Sequence, residues 1–237
     1  MIADIRTIAA TGSTNDDVAT LARAGEREGL WLRADTQTGG RGRHGRPWQS
    51  PPGNLFASTI VRLRAGDPPP AMLAMVAALA LHQVAAAYAG DGRIVLKWPN
   101  DLLLDGAKMS GILLESAGDA VVVGFGVNLA HRPEGLDRQT ASFAASGLGA
   151  PDPAAFLVDL ADAFARWLAR WRTEGVAGIR REWLARAHVI GTPLRTTGAD
   201  GDYIEGLFDG LDESGALRLR LADGRVHILH AGDVFLI

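Results

Sequence analysis

Hydrophobic and polar positions alternate in three ways along this chain, and the changes mark its elements. Val18, Leu21 and Ala22 recur at helical spacing behind Ser13-Thr14-Asn15, and Gly25 supplies a stop. Thr14 with Asp17 fits a capping box, so the triplet reads as cap residues. A helix N-terminus also presents free N–H groups to a polar ligand, and both readings hold together. Leu30, Leu32 and Ala34 alternate with Trp31, Arg33 and Asp35, the period of a strand. Residues 54–63 form a second, largely apolar strand of a central type, and an alanine-rich helix is expected over 71–88. His82 on that helix is read as a surface or boundary residue.

Residues 93–98 form a third strand that ends in Lys97-Trp98-Pro99-Asn100-Asp101, where proline stops the ladder. Asp105-Gly106 joins 101–104 to 107–115 as a hairpin. Lys108 beside that turn reads as solvent-facing, whereas Gly111 inside the return strand suggests a ligand or another backbone passing close. Residues 120–129 form a further strand. Gly124 and Gly126 strip side chains from one of its faces, and Asn128 needs a partner if buried. Residues 131–148 show no regular period. Asp152-Pro153 then opens a helix to about Thr173 with a stripe of Phe156, Leu160, Phe164, Trp167 and Trp171, read as core packing, and a shorter helix covers 176–187. From Val189 the helical period is lost. Asp200-Gly201, Asp209-Gly210, Ser214-Gly215 and Asp223-Gly224 punctuate short strands at hairpin spacing. The fold class expected is α+β: a mixed β-sheet catalytic domain with packed helices over 1–188, and a small C-terminal β-barrel over 189–237.

Composition narrows the function. The 237 residues are 47% hydrophobic, enough for a sizeable core. A net charge of −3 and a pI near 6.1 argue against a general nucleic-acid binder. The absence of cysteine excludes disulfides, thiolate metal sites and cysteine nucleophiles. No apolar signal core opens the chain, and the longest apolar run, Ala71 to Leu81, is eleven residues. A soluble cytoplasmic protein is expected.

Against that acidic background one stretch stands out. Gln37 to Trp48, Gln-Thr-Gly-Gly-Arg-Gly-Arg-His-Gly-Arg-Pro-Trp, has four glycines and three arginines in twelve residues and no apolar period. Its glycines permit close backbone approach, and the forks of Arg41, Arg43 and Arg46 match phosphate and carboxylate oxygens. It lacks the Gly-Lys-Ser/Thr ending of a Walker A loop and the spacing of a dinucleotide fingerprint. A loop that receives a compact anion explains it better than a merely solvated basic run. The Asn100-Asp101 pair is an ordinary turn, or a place where an amide and a carboxylate face a ligand or hydrated metal.

Four segments taken together are specific: Ser13-Thr14-Asn15, the loop from Gly40 to Trp48, Lys97 to Asp101, and Lys108 to Glu115. In order and spacing they resemble the biotin–protein ligases, over nearly the whole chain. The sheet domain resembles that family's class II synthetase-like domain, and the barrel its SH3-like domain. Lipoate ligases share the fold without this paired signature.

The resemblance implies two steps. ATP and biotin give biotinyl-5′-AMP and pyrophosphate, with Mg2+ bridging the phosphates. A lysine of a biotin carboxyl carrier protein then takes the biotin. It implies that Ser13, Thr14, Asn15 and Gln37 hold the ureido ring beside Gly111, and that Arg41, Gly42 and Arg43 close over the biotin carboxyl and α-phosphate. Lys108 is implied at the reacting centre, catalytic with Arg41 and Arg43. Trp48 and Asn128 are implied at the adenine. Arg46, Lys97, Asn100 and Asp101 are implied at the phosphates, with Asp101 toward magnesium. His44 stands where the family has an arginine, so its phosphate contact is expected to depend on pH. The pattern begins within fifteen residues of Met1, so neither a DNA-binding domain nor DNA binding is expected. No membrane partner is expected, and the chain is expected to be a monomer or homodimer. Ligation of another acid such as lipoate, or non-catalytic sensing of biotin or nucleotide, are the competing readings.

Overall fold

A computed structural model of the chain describes residues 3–90, 92–136, 138–197 and 202–237. Its first strand, β1 (Asp4–Thr11), is one the hydrophobic pattern does not announce. No residue of β1 is fully buried, so no alternation marks it. It runs parallel to β2 (Leu30–Gln37), and α1 (Thr14–Arg23) crosses between them. β3 (Leu55–Arg62) follows, then α2 (Leu73–Ala89), β4 (Ile94–Lys97), β5 (Asp101–Leu104), β6 (Ala107–Ala117) and β7 (Ala120–Val127). The seven strands lie in the order β1-β2-β3-β7-β6-β5-β4, antiparallel except for the first pair.

Apolar groups cover both faces of this sheet. On one face α1 buries Val18 and Ala22 against Leu30, Leu32, Ile60 and Val122. On the other lie α2 and α3 (Pro153–Leu184). Trp31, which the alternation puts opposite Leu30 and Leu32, is therefore also buried, 5.5 Å from Phe125 and 5.7 Å from Phe164 between ring centroids. The stripe of Phe156, Phe164, Trp167 and Trp171 is core, as expected. α2 is apolar on all sides because it is sandwiched. The segment Pro70–Ala89 is long and apolar enough to cross a bilayer, yet 61% of its apolar window is buried in this fold.

Asp152 caps α3 by accepting from the Ala155 N–H at 2.8 Å. The helix breaks at Gly175, φ 68° and ψ −163°, where the pattern divides it into a long and a short part. Asp105 and Gly106 both take positive φ, 50° and 81°, the turn expected between β5 and β6.

The remaining strands are β8 (Pro193–Thr197), β9 (Tyr203–Leu211), β10 (Leu217–Arg220), β11 (Val226–Leu229) and β12 (Val234–Leu236). They form an SH3-like antiparallel sheet in the order β11-β10-β9-β8-β12. Ser214-Gly215 and Asp223-Gly224 turn the chain as expected. The Asp200-Gly201 turn lies outside the described residues. Asp209-Gly210 is not a hairpin turn: it sits inside β9, where Gly210 at φ 86° accompanies a shift in pairing with β10 between Leu217 and Leu219. A glycine that bends a strand and one that ends it look alike in sequence. Trp98 fastens the two sheets, its indole N–H donating to the Gly215 carbonyl at 3.2 Å in a buried position.

Candidate functional site

One cleft of about 790 Å³ collects most of the singled-out residues. Its polar end is built at the start of α1. The Thr14 N–H donates to Gln37 Oε1 at 2.9 Å, and the Thr14 hydroxyl lies 2.8 Å from that of Ser58. Ser58 donates to Asn15 Oδ1 at 2.6 Å, and Asn15 Nδ2 donates to Glu115 Oε2 at 2.6 Å. The capping box does not form. Ser13 is the N-cap and makes no side-chain cap bond, while Asp17 accepts from the Thr11 hydroxyl at 2.6 Å. Tertiary partners outbid the local motif, and Ser13, Thr14 and Asn15 are all buried along the cleft.

Glycines make the floor. A Cβ on Gly124 would lie 2.1 Å from Asn15 Oδ1, and one on Gly126 would lie 2.6 Å from the Trp48 indole. Gly111 is the close approach expected, with Trp48 3.2 Å from where its Cβ would be. The Trp48 indole thus rests on β6 and β7. Its N–H is buried without a hydrogen-bond partner among the described residues. Lys108 stands 5.8 Å from the ring centre.

The three loop arginines are divided in use. Arg41 is an anchor. It donates twice to Asp16, at 2.7 and 2.6 Å, and to Glu115 at 2.8 Å. These bonds, Asp16's first, raise its pKa further above the usual arginine value. Arg43 donates to the Gly232 carbonyl at 3.1 Å and Arg46 pairs with Asp233, so the loop tip is tied to the small sheet. His44 sits exposed at the turn with φ 57° and does not line the cleft. The left-handed turn places His44, expected at a phosphate, outside the lining of the cleft.

Lys108 is not solvent-facing. It is partly buried on β6, its side chain 13% exposed, and pairs with Asp101, which also accepts from Lys97 at 3.3 Å. Burial holds Lys108 below the ordinary lysine range, with Asp101 opposing the shift. Burial alone would raise the Asp101 carboxyl, but Lys108 and Lys97 outweigh it and hold it low. Both Asp101 oxygens are thus committed to ammonium groups, which does not fit the expectation of a magnesium ligand. Among the described residues no cluster of acids and histidines suits a metal. Asn100 lines the cleft and ties its turn to β6 by donating to the Ile112 carbonyl at 2.5 Å.

Asn128 lies outside the cleft. Buried behind β7, it donates to the Ala141 carbonyl at 3.0 Å, so the partner it needed is backbone and not a ligand. Sequence reasoning missed Ser58, which bonds Thr14 and Asn15, and on the cleft's lining Arg138 and Asp233 to Ile237. Only Ser58 left a signal, as a polar residue inside an apolar strand.

The Biotin/lipoate A/B protein ligase family model matches residues 11–128, and the Biotin protein ligase C terminal domain model matches residues 190–237. The biotin–[acetyl-CoA-carboxylase] ligase of Paracoccus denitrificans is 44% identical over 241 residues, covering 96% of this chain and 98% of the relative. That of Mycobacterium tuberculosis is 35% identical over 235 residues, covering 96% and 86%. Among solved structures, the biotin protein ligase from Aquifex aeolicus in complex with biotin and ATP superposes with a TM-score of 0.86 at 22% identity, covering 99% of each chain.

Proposed function

The chain belongs to the biotin protein ligase family, and from that premise we propose how its own residues carry the reaction. The activity is ATP-dependent: biotin is activated to biotinyl-5′-AMP and transferred to a lysine of a biotin carboxyl carrier protein. The division into a catalytic part, 1–188, and a C-terminal part, 189–237, follows the two sheets. Its acyl acceptor is the carrier domain of a carboxylase, and the work is done in the cytoplasm with that enzyme.

The polar end at Ser13, Thr14, Asn15 and Gln37 takes the ureido ring, whose N–H and C=O groups need partners of both kinds. The rest of biotin lies along the glycine floor at Gly111, Gly124 and Gly126. The Trp48 indole moves aside to make room, and its unpaired N–H gains an acceptor at the nucleotide. The biotin carboxylate then reaches Lys108. That ammonium cancels the repulsion between the carboxylate and the α-phosphate, and stabilises the charge spread over both in the transition state. Asp101 fixes Lys108 in place and keeps its charge. Lys97, Asn100, Arg43 and Arg46 line the same cleft and turn from their protein partners to the phosphates when ATP binds.

Magnesium enters as part of the co-substrate, carried on the ATP phosphates. Arg41 holds the root of the loop, and Gly42 lets it turn back beside Arg46, whose carbonyl accepts the Gly42 N–H at 2.8 Å. A loop so fastened at its root and tip keeps water from the mixed anhydride.

One observation carries this reading: the Thr14–Gln37 seat, the loop arginines, Lys97 with Asp101, and the partly buried Lys108 converge on a single cleft from four separate segments. Incubation with biotin, MgATP and an apo carrier domain tests it. The carrier should gain the mass of one biotinyl group, and biotin alone should support ATP–pyrophosphate exchange. Exchange driven by lipoate and not by biotin would overturn it.

A further inference from the structure

We propose that Arg138 binds the β- and γ-phosphates of ATP and holds the departing pyrophosphate during adenylate formation. This rests on the ligase reading above and assigns a residue to its first half-reaction.

Arg138 is exposed on the wall of the same cleft as Lys108. The reacting lysine's own backbone sets its place. The Lys108 N–H donates to the Gln139 carbonyl at 3.0 Å, and the Ala141 N–H donates to the Lys108 carbonyl at 2.9 Å. Thr140 thereby pairs with Lys108 in a short parallel bridge. Arg132 braces the segment by donating to the Thr140 carbonyl at 3.1 Å, and the Thr140 hydroxyl donates to the Pro133 carbonyl at 2.6 Å. Arg138 therefore stands at the end of a ribbon in register with β6.

The other cations of the cleft are taken. Arg41 has Asp16 and Glu115, Arg43 has the Gly232 carbonyl, Arg46 has Asp233, and Lys97 and Lys108 share Asp101. Arg195 is held by Glu205. Among the described residues Arg138 has neither an ion pair nor a hydrogen bond. Its charge reaches Lys108, where it adds to the downward pull on that pKa. Lys108 has Asp101 as its counter-ion, whereas the Arg138 guanidinium lines the cleft with no anion of its own among the described residues, a place suited to an anion that arrives with the substrate.

The chemistry says which anion. A biotin carboxylate oxygen attacks the α-phosphorus. The bond from that phosphorus to the bridging oxygen of the β-phosphate breaks, and the electron pair leaves on pyrophosphate. No proton need move. Biotin brings a single negative charge, which Lys108 answers, whereas the triphosphate brings several and gains more on its β-phosphate as the bond breaks. A planar guanidinium pairs two phosphate oxygens at once. The second half-reaction neither makes nor uses pyrophosphate, so Arg138 acts in the first half only.

The test separates the halves. In Arg138→Ala, the KM for ATP in adenylate formation and the inhibition constant for pyrophosphate should both rise about tenfold, the loss of one charge-assisted pair. The KM for biotin should not change, and transfer from synthetic biotinyl-5′-AMP to the carrier should stay within about twofold, well under one lost ion-pair contact. Arg138→Lys should recover part of the pyrophosphate affinity, since charge is kept and the fork is lost. Unchanged ATP and pyrophosphate constants in Arg138→Ala would overturn the assignment, as would an equal loss in transfer from the adenylate. Failure of the unaltered protein to exchange pyrophosphate with biotin would instead count against the ligase reading.

Discussion

Arg41 Nη2 lies 2.8 Å from Glu115 Oε1, so the root of the arginine loop is fastened to β6 across 74 residues of sequence. The same carboxylate accepts from Asn15 at 2.6 Å. Glu115 therefore joins the start of α1, the proposed biotin seat, to the arginine loop, and Glu115→Gln should loosen that loop. Free biotinyl-5′-AMP should escape about tenfold faster, as expected for loss of a charge-assisted bond. Chromatography of adenylate released without carrier measures it, and an unchanged release rate would show that Glu115 does not hold the loop.

Gly126→Ala places a methyl 2.6 Å from the Trp48 ring, which must then leave the floor. The strand tolerates alanine, so the melting temperature should move little. Binding of biotin, read by titration calorimetry, should weaken by at least about tenfold, because the methyl occupies floor the substrate needs. A large drop in melting temperature with intact binding would mean that the floor is structural and not a seat.

A lysine beside a turn is commonly removable at no cost to the fold. Lys108→Ala behaves differently, because it leaves the buried Asp101 with Lys97 alone at 3.3 Å. Breaking such a pair costs about 3–5 kcal/mol. Adenylate formation should also fall by a factor of about 100 or more. Denaturant unfolding together with pyrophosphate exchange checks both; near-normal turnover removes Lys108 from the reacting centre. Asp101's folded pKa lies below its unfolded value, so its contribution to stability is complete above the ordinary carboxylate range. That contribution is lost as pH falls through the lowered pKa.

His188 sits between the two sheets with Nε2 buried and unpartnered among the described residues. Burial, then Lys97, lowers its pKa from 6.5 to about 4. The unfolded chain takes up the proton below 6.5 and the folded one only below about 4, so stability should fall as pH drops through that window. His188→Gln should flatten this part of the melting temperature against pH. An unaltered slope would mean that His188 is solvated.

Local chemistry along the chain was enough for most of the elements, and the reaction class came from the resemblance that four separated segments carry together. Period, the Asp105-Gly106 turn, the Asp152 cap and the glycine-arginine run of 37–48 act through neighbours a few residues apart, so they can be read before folding. The glycine face at 124 and 126 was readable for the same reason. The partners of each charged group were not. Asp17 abandons a nearby cap for Thr11, Arg41 finds Glu115, Arg43 finds Gly232, and Asn128 turns from the cleft to Ala141. β1 carried no alternation, being an edge strand, and Arg138 gained its position from hydrogen bonds to Lys108. Hydrogen bonds and ion pairs are satisfied by whatever lies within about 3 Å in space, and separation in sequence does not enter that condition. Folding alone therefore assigned the partner that each charged group takes.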